Sequence, residues 1–332
     1  MASASWSFVR AFRRQETGPS GPERVCHHRC MLTLPAPVLG FAARGPAWAE
    51  WVRGLPRLVA DVLAEWDLDL DGEPMHGWTA LVLPVRTRDG APAVLKLVCP
   101  GVPGGDEEEH EALALQRLGG NGAVRLLRAD PRRRLLLLER LHCRDLTEVW
   151  DVEACEVVGG LYPRIHVPAP PQLRTLTSYV GRWTAALAAL PRDARVPHRL
   201  VEQAVSLGRD FVADPASDGT MIHGDLHYEN VLAADRQPWL MIDPKPMSGD
   251  PHYEVAPLLW NRFDELAGDI RGGVRRRFHA TIDAAGLDED RARDWVVVRM
   301  LHNALWHLED SPEAPDADYL TMCVAIAKAV QE

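Results

Sequence analysis

The sequence predicts an α+β protein with two lobes, a small lobe rich in β-strands followed by a mostly helical one. Three observations lead to this class. The chain has 332 residues, more than one compact core usually supports. Short apolar runs separated by turn residues dominate residues 75–140, and apolar residues at helical spacing dominate the remainder of the chain. The pattern changes near Leu141.

The first lobe is predicted to contain a helix, two strand pairs and a second helix. Residues 47–66 carry apolar side chains at helical spacing. Two β-type runs come next, separated by Asp89-Gly90, a typical hairpin turn. An acidic stretch then leads into a helix that ends at Gly119-Gly120. A second strand–turn–strand pattern is centred on Asp130-Pro131, so we expect a sheet of at least four strands.

The rest of the chain is predicted to be mostly helical, because apolar residues recur at helical spacing in seven stretches. These stretches are 145–160, 172–190, 197–213, 253–268, 272–286, 288–309 and 315–331. We therefore expect a poorly structured extension over residues 1–45, an N-terminal β-rich lobe over 46–140 and a helical C-terminal lobe over 141–332.

Composition and charge restrict the classes of function. The net charge of -10 disfavours nucleic acid, because phosphate backbones bind mainly to Lys and Arg, and it is compatible with a cationic small molecule. No apolar run reaches the roughly 20 residues that span a bilayer. The cysteines lack the spacing of a disulfide framework, which favours a reducing cytoplasm. Cys26-His27-His28-Arg29-Cys30 lacks a second ligand pair at zinc-finger spacing, so we expect no metal there.

A polar motif, MIHGDLHYENVLAADRQPWLMIDP, occupies residues 221–244 between two apolar runs. Asp225 and Asn230 lie in a loop expected between a helix and a strand, and Asp243 ends the return strand of a hairpin. Buried carboxylates are costly unless they are paired or bind a metal. The motif therefore indicates a metal site, an acid–base site or both, with hard oxygen ligands suited to Mg²⁺. Asp and Asn also favour ordinary turns, which is the alternative for any single pair.

The segment HGDLHYEN followed by MIDP resembles the catalytic and metal-binding motifs of the aminoglycoside phosphotransferase superfamily, small-molecule relatives of the protein kinases. The longer LHYENVLAADRQPWLMIDPKPMSGDP, with VRRRF and LHNALWHLEDS near the C-terminus, is similar to the streptomycin 6-kinase and hydroxyurea phosphotransferase branch. The resemblance covers residues from about 46 to 331. It implies a bilobal protein-kinase-like fold and transfer of the γ-phosphate of ATP, with Mg²⁺, to a hydroxyl of a small molecule.

The resemblance also assigns roles within the motif. It implies that Asp225 is the catalytic base and that Asn230 and Asp243 bind Mg²⁺. His223 takes the place of the histidine before the catalytic aspartate and is expected to brace the loop. We interpret His227 as structural.

A kinase of this type needs a strand lysine that is held by a glutamate of the next helix. Lys96 in AVLKLV and Glu111 ahead of ALALQRL match this requirement. An exposed strand lysine is the ordinary interpretation of an isolated case. Glu107, Glu108 and Glu109 are better explained as an acidic first helical turn, which the helix dipole favours.

The remaining nucleotide contacts are expected from backbone groups. There is no G-x-G-x-x-G motif, and HGWTA, with Gly77, takes the place of the phosphate-covering loop. The backbone amides of such a turn can contact phosphate. The run LLLLERL is the predicted hinge, where an adenine ring would bind backbone groups from Glu139 to Leu141.

The acceptor is expected to bind the helical lobe through acidic or aromatic residues. The candidates are Trp260, Asp264, Glu265, Trp306, Glu309 and Asp310. Paired carboxylates suit the guanidino groups of a streptomycin-like aminocyclitol, and a solvated helix face is the alternative for each residue. We expect Asp250 to cap the following helix, and Arg275–Arg277 to lie at the surface or on a face that docks the first lobe.

Other functions are compatible with the sequence. A kinase of the same fold could instead act on a sugar, an amino alcohol or a hydroxyurea-like acceptor, because function is decided by the site and not by the fold. GDLH also occurs in two-metal phosphoesterases, but these need further His and Asp clusters and give Lys96 no role. A pseudokinase is disfavoured because Lys96, Asp225 and Asp243 are all present. We expect a small-molecule acceptor, and a monomer or weak dimer.

Overall fold

The computed structural model describes residues 32–100 and 110–331 of the chain. The Cys26–Cys30 stretch and Glu107, Glu108 and Glu109 lie outside the described residues. The predicted class is confirmed, because an antiparallel sheet in the first lobe is followed by a mostly helical part.

The first described elements are helical. Helix α1 (Ala36–Gly40) and a 3₁₀ helix (Phe41–Arg44) precede α2 (Pro46–Trp66). The prediction of a poorly structured extension to residue 45 is therefore wrong for residues 36–44. Val38 and Phe41, 0% and 3% exposed, pack against α2 and the sheet, and their burial provides the stabilisation that sequence periodicity did not reveal.

A six-stranded antiparallel sheet forms the rest of the first lobe. Its strands are β1 (Leu68–Leu70), β2 (Met75–His76), β3 (Ala80–Thr87), β4 (Pro92–Val98), β5 (Leu126–Asp130) and β6 (Leu135–Glu139). Their order is β1-β3-β4-β6-β5, with β2 paired to β3. The predicted hairpins are confirmed, and Gly90 adopts φ +81°, a left-handed conformation that glycine accepts readily. In the centre of the sheet, Lys96 lies opposite Val82 and Leu136.

Helix α3 (Glu111–Leu118) packs beside this sheet and ends as the sequence predicts. Gly119 takes φ +58°, and its N–H donates to the carbonyl of Leu115, so the helix has a left-handed C-cap. The short helix places Glu111 in its first turn, directed at the sheet.

The second lobe contains seven α-helices and five short strands within the described residues. The helices are α4 (Asp151–Ile165), α5 (Leu176–Ala188), α6 (His198–Ala213), α7 (Ala256–Trp260), α8 (Ile270–Ala285), α9 (Glu289–Asp310) and α10 (Ala317–Ala329), and the strands are β7 (Val167–Pro168), β8 (Thr220–Ile222), β9 (Val231–Ala233), β10 (Trp239–Met241) and β11 (Met247–Gly249). Short 3₁₀ helices span Leu146–Glu148, Pro215–Ser217, Tyr228–Asn230, Pro251–Glu254 and Phe263–Leu266. None of the helices in this part or elsewhere in the described chain has the length and apolar character to cross a bilayer.

The single helix predicted over residues 253–268 is wrong. Arg262 adopts φ +58°, and this left-handed residue separates α7 from the next 3₁₀ helix. The Arg262 guanidinium donates to the carbonyls of Leu146 and Val149 and pairs with Glu265 at 2.7 Å. These tertiary bonds stabilise a backbone conformation that an isolated helix would not adopt.

The expectation of surface arginines at 275–277 is wrong for Arg277, whose side chain is 0% exposed. Helix α8 packs along α4, and Arg277 lies on the packed face. Its Nε donates to Asp151 at 2.8 Å and its Nη1 to the carbonyl of Asn261 at 2.8 Å. The charge is therefore buried with its partners, which is the condition for burying arginine. Asp250 caps the Pro251–Glu254 helix as predicted.

The two lobes are joined by several contacts at the end of β6. Glu139 pairs with Arg236 of the β9–β10 hairpin at 2.6 Å, and the Val124 N–H donates to the carbonyl of Met241. Beneath these bonds, apolar side chains of α3, β6 and the β9–β10 hairpin form one buried cluster. The sheet lysine and the polar motif of the second lobe thus face each other across the junction.

Candidate active site

The motif loop of residues 223–230 follows β8 and leads into β9, so the expected helix before it is replaced by a short strand. Asp225 is buried, and its N–H donates to Nδ1 of His223 at 3.2 Å. With Nδ1 as an acceptor, Nε2 of His223 donates to the carbonyl of Ile242 at 2.9 Å. His223 therefore connects the loop to the end of β10.

Gly224 makes the turn of this loop. It has φ +85°, and a Cβ at this position would lie 2.5 Å from the carbonyl oxygen of Lys245, so only glycine fits. Its N–H donates to Oε1 of Glu254 at 2.6 Å. Glu254 is buried and bonds His166 through its other oxygen at 2.7 Å. The loop is thus fixed by a buried carboxylate that sequence reasoning did not identify.

Asn230 and Asp243 lie side by side in the second lobe. The Ile242 N–H donates to the Asn230 carbonyl at 2.9 Å, which holds the two segments together. The Asn230 amide nitrogen donates to the Asp225 carbonyl at 2.9 Å. Asp243 has φ +57°, an uncommon conformation for a non-glycine residue and one that is found at functional sites.

Lys96 reaches this pair from the sheet. Its Nζ lies 2.7 Å from Oε2 of Glu111 and forms a second ion pair with Asp243, and the lysine is 3% exposed. The structure therefore brings together Lys96, Glu111 and Asp243 directly, and joins them to Asp225 through Asn230. Lys96 is therefore not an ordinary exposed strand lysine, because it is buried between two carboxylates that balance its charge.

Lys245 was missed by the sequence analysis. Its Nζ lies 2.5 Å from Oδ2 of Asp225, and both side chains are largely buried. The available signal was a cation two residues after Asp243 in the DPKP segment. The lysine is close enough to neutralise the Asp225 carboxylate and any anion beside it.

Arg299 of α9 was also missed. It is buried, its guanidinium lies 4.4 Å from the ring centroid of Tyr253, and its Nη2 donates to the Gly224 carbonyl at 3.4 Å. The signal was a charged residue within the otherwise apolar run VVVRML. Arg299 thus supports the motif loop from the helical side.

The electrostatics keep the carboxylates ionised. Burial alone would raise the pKa of Asp225, but the charge of Lys245, with a smaller contribution from Arg299, holds that pKa below its usual value. Asp243 shows the same balance, since burial is outweighed by Lys96 and Lys245 and its pKa is also lowered. Burial lowers the pKa of His227 to about 4, so this imidazole is neutral at pH 7.

The acceptor candidates fall into two groups. Trp260 and Trp306 are buried, with ring centroids 5.5 Å and 5.6 Å from the Arg299 guanidinium, which places them near the motif loop. The acidic candidates lie at the surface, namely Asp264, Glu265, Glu309 and Asp310. Glu265 pairs with Arg262, whose other bonds run to the segment before α4.

Of the residues expected near the nucleotide, Gly77 belongs to the sheet of the first lobe, and Glu139 and Leu141 lie where the chain passes to the second lobe. Gly77 lies in the turn between β2 and β3, and its N–H donates to the Ala80 carbonyl at 2.9 Å. The Glu139 side chain accepts a hydrogen bond from the Arg125 N–H at 2.7 Å and pairs with Arg236, so its carboxylate stabilises the connection between the lobes. Leu141 lies two residues after Glu139, where the chain has left the sheet.

The residues at this site fit a magnesium ion. The Asn230 side chain makes its hydrogen bonds to Asp225 and His227 through Nδ2, and its Oδ1, with the Asp243 carboxylate, supplies the hard oxygen donors that Mg²⁺ prefers. Across residues 32–100 and 110–331, no three His, Cys, Asp or Glu side chains group as a metal cage. A site with one carboxylate and one amide oxygen is of the kind that is completed by water and substrate phosphates.

The sequence matches a known family and several known proteins. Residues 65–311 match the family described as aminoglycoside/hydroxyurea antibiotic resistance kinase. Streptomycin 6-kinase of Streptomyces glaucescens is 40% identical over 307 residues, covering 89% of this chain and 97% of that protein. Hydroxyurea phosphotransferase of Kitasatospora aureofaciens is 38% identical over 312 residues, covering 90% of this chain and 87% of that protein.

Solved structures show the same fold. A thermostable mutant of an aminoglycoside phosphotransferase, in complex with ADP and hygromycin B, aligns with a TM-score of 0.53 at 16% identity, covering 81% of this chain and 97% of that one. A choline/ethanolamine kinase family protein from Mesorhizobium loti aligns with a TM-score of 0.55 at 18% identity, covering 82% of this chain and 90% of that one.

Proposed function

The chain belongs to the aminoglycoside/hydroxyurea antibiotic resistance kinase family, and from this premise we propose that it transfers the γ-phosphate of ATP to a hydroxyl of a streptomycin-like aminocyclitol. The predicted phosphotransferase class is confirmed by this membership, and the phosphoesterase and pseudokinase alternatives are set aside. The observation that carries the proposal is the convergence of Lys96, Glu111 and Asp243 with the Asp225 loop.

We assign the nucleotide to the junction of the two lobes, with residues 46–140 above it and residues 141–332 below it. Lys96, held by Glu111, is directed at the phosphates. The turn at Gly77 covers them, and backbone groups from Glu139 to Leu141 contact the adenine ring. Both lobes therefore contribute charge and backbone donors to one substrate.

Asn230 and Asp243 are the residues that would hold Mg²⁺. When bound, this ion would neutralise the negative charge that develops on the phosphate oxygens. In the structure, Lys96 forms an ion pair with Asp243. A lysine ammonium has three donors, so Lys96 can contact a phosphate oxygen while it keeps Glu111.

Asp225 is the proposed base. His223 and Asn230 fix its backbone, and its carboxylate is ionised at neutral pH, so it can accept the proton of an acceptor hydroxyl. Lys245, on the same carboxylate, lies where it can stabilise the transferred phosphoryl group. The chain works by positioning and charge neutralisation, and the hydroxyl attacks directly without a phosphorylated enzyme.

The acceptor proposal rests on the end of α9. Residues three and four apart on a helix are neighbours, so the exposed Glu309 and Asp310 lie beside Trp306. An aromatic ring with two carboxylates suits a ring compound that carries guanidinium groups. A hydroxyurea-like acceptor is the second candidate, favoured by the relative that is 38% identical.

The test is mass spectrometry of purified protein with Mg-ATP and either streptomycin or hydroxyurea. We expect a phosphoryl mass gain on streptomycin that falls by about 10²–10⁴ in Asp225→Asn, because the base is lost while nucleotide binding is retained. Asp61→Asn, at an exposed position of α2, is the matched control and should keep full activity. A phosphoryl mass gain on hydroxyurea alone would make hydroxyurea the acceptor. A protein that does not bind ATP would overturn the proposal.

A further inference from the structure

The 3₁₀ helix before α2 contacts the turn that covers the proposed phosphate site. We define the N-terminal clamp as Ala36–Arg44 and the β2–β3 turn as residues 77–79. Nη1 of Arg44 donates to the Trp78 carbonyl at 2.5 Å. This bond joins two segments that are 34 residues apart in the chain.

Aromatic rings surround the Arg44 guanidinium. Its central carbon lies 4.1 Å from the ring centroid of Phe41, 5.0 Å from that of Trp48 and 4.2 Å from that of Trp78. Phe41 also meets the His76 ring edge to face at 6.2 Å. The Arg44 guanidinium thus stacks between rings of the helical segment and the Trp78 ring of the turn, and such cation–ring contacts are attractive even at an exposed site.

The β2–β3 turn lies close to Lys96. In the register of β3 and β4, Lys96 pairs with Val82, and Thr79 is three residues before Val82. At about 3.3 Å per residue, the turn is roughly 10 Å from the level of the lysine, within the span of a nucleotide triphosphate. The Cys99 N–H donates to the Thr79 carbonyl and fixes the far end of the turn to β4.

The clamp lies before residue 65, where the match to the kinase family begins. The turn has one hydrogen bond of its own, from the Gly77 N–H to the Ala80 carbonyl, and Arg44 adds a hydrogen bond and a ring contact from outside it. We propose that the N-terminal clamp is a positioning element for nucleotide binding, in which Arg44 holds the β2–β3 turn over the phosphates in place of a glycine-rich loop. This inference rests on the proposed function.

The test compares the full chain with Arg44→Met. Hydrogen exchange of peptides that contain the β2–β3 turn should be about three- to tenfold faster in the variant, because the charged hydrogen bond and the ring contacts are lost. Calorimetry with Mg-ADP should show a dissociation constant raised by a similar factor. The KM for ATP should rise with it, while kcat and the acceptor KM stay within about twofold. Arg44→Lys keeps a cation, so its exchange rate and its ADP dissociation constant should lie between those of the wild type and Arg44→Met.

The matched control is Arg53→Met. Arg53 is exposed on α2, and its Nε donates to the Ala49 carbonyl of its own helix, so exchange of the turn and affinity for Mg-ADP should not change. Unchanged exchange of the turn in Arg44→Met would overturn the inference, as would faster exchange with an unchanged ADP dissociation constant. Wild-type protein that binds no Mg-ADP would overturn the proposed function itself, and the exchange comparison, which needs no nucleotide, would still report the clamp.

Discussion

Replacement of Lys245 by methionine tests the charge balance of the site. Nζ of Lys245 lies 2.5 Å from Oδ2 of Asp225, and the side chains are 16% and 10% exposed. A hydrogen bond to a charged partner contributes about 1.5–3 kcal/mol, which corresponds to about 10- to 150-fold in rate if it is lost at the transition state. We therefore expect kcat/KM of Lys245→Met to fall by about one to two orders of magnitude.

The pH dependence gives a second readout with a defined sign. Lys245 is the largest influence that lowers the pKa of Asp225, so its removal raises this pKa. The acidic limb of kcat/KM, which reports ionisation in the free enzyme, should therefore move to higher pH. The assay is ADP release with saturating acceptor from pH 9 down to the acid limit of the folded enzyme, alongside Lys245→Arg, which should keep the wild-type limb.

Lys328→Met is the control, because Lys328 is an exposed residue of α10. It should match wild type in rate and profile. If Lys245→Met lost rate but kept the wild-type acidic limb, the lysine would act only on the phosphoryl group, and the reasoning about Asp225 would be refuted. A variant with unchanged rate would remove Lys245 from the mechanism altogether.

Two further predictions concern stability. Arg277→Met should lower the free energy of unfolding, measured in urea, by about 3–5 kcal/mol, because it leaves Asp151 as a partly buried charge without its partner. Arg276→Met, at the exposed neighbouring position, is the control and should lower it by less than about 1 kcal/mol. Burial alone would raise the pKa of Glu254, but the bond to His166 and its other partners outweigh burial and lower this pKa in the folded protein. The contribution of Glu254 to the free energy of unfolding is therefore complete above the pKa of the unfolded state and is lost as the pH falls through the folded-state pKa. Glu254→Gln should therefore flatten the acid side of a stability–pH curve, and an unchanged slope would contradict this.

Local signals explain what could be predicted from the sequence. The Asp89-Gly90 hairpin, the cap at Gly119 and the position of Lys96 on a strand all depend on residues close together in the chain. The Asp225–Asn230–Asp243 set was identified because its spacing resembles a known motif.

The remainder depends on contacts between distant segments. Arg262 leaves the helical conformation because it bonds carbonyls 113 and 116 residues earlier, and Arg277 is buried because Asp151 lies on the facing helix. Lys245 was missed because its contact with Asp225 exists only in the folded chain, where the turn at Gly224 brings the two residues together. No periodicity in the sequence encodes such pairs, and local propensity is overridden by them.

The apolar cluster beneath the hinge has a consequence for how the molecule unfolds. Leu115 and Leu136 of the first lobe share this buried core with Val231 and Met241 of the second. Separating the lobes would expose apolar surface on both sides, at a cost of about 25 cal/mol for each Å². The shared cluster therefore couples the unfolding of the two lobes, and a chain cut at Leu141 divides this cluster between the two halves.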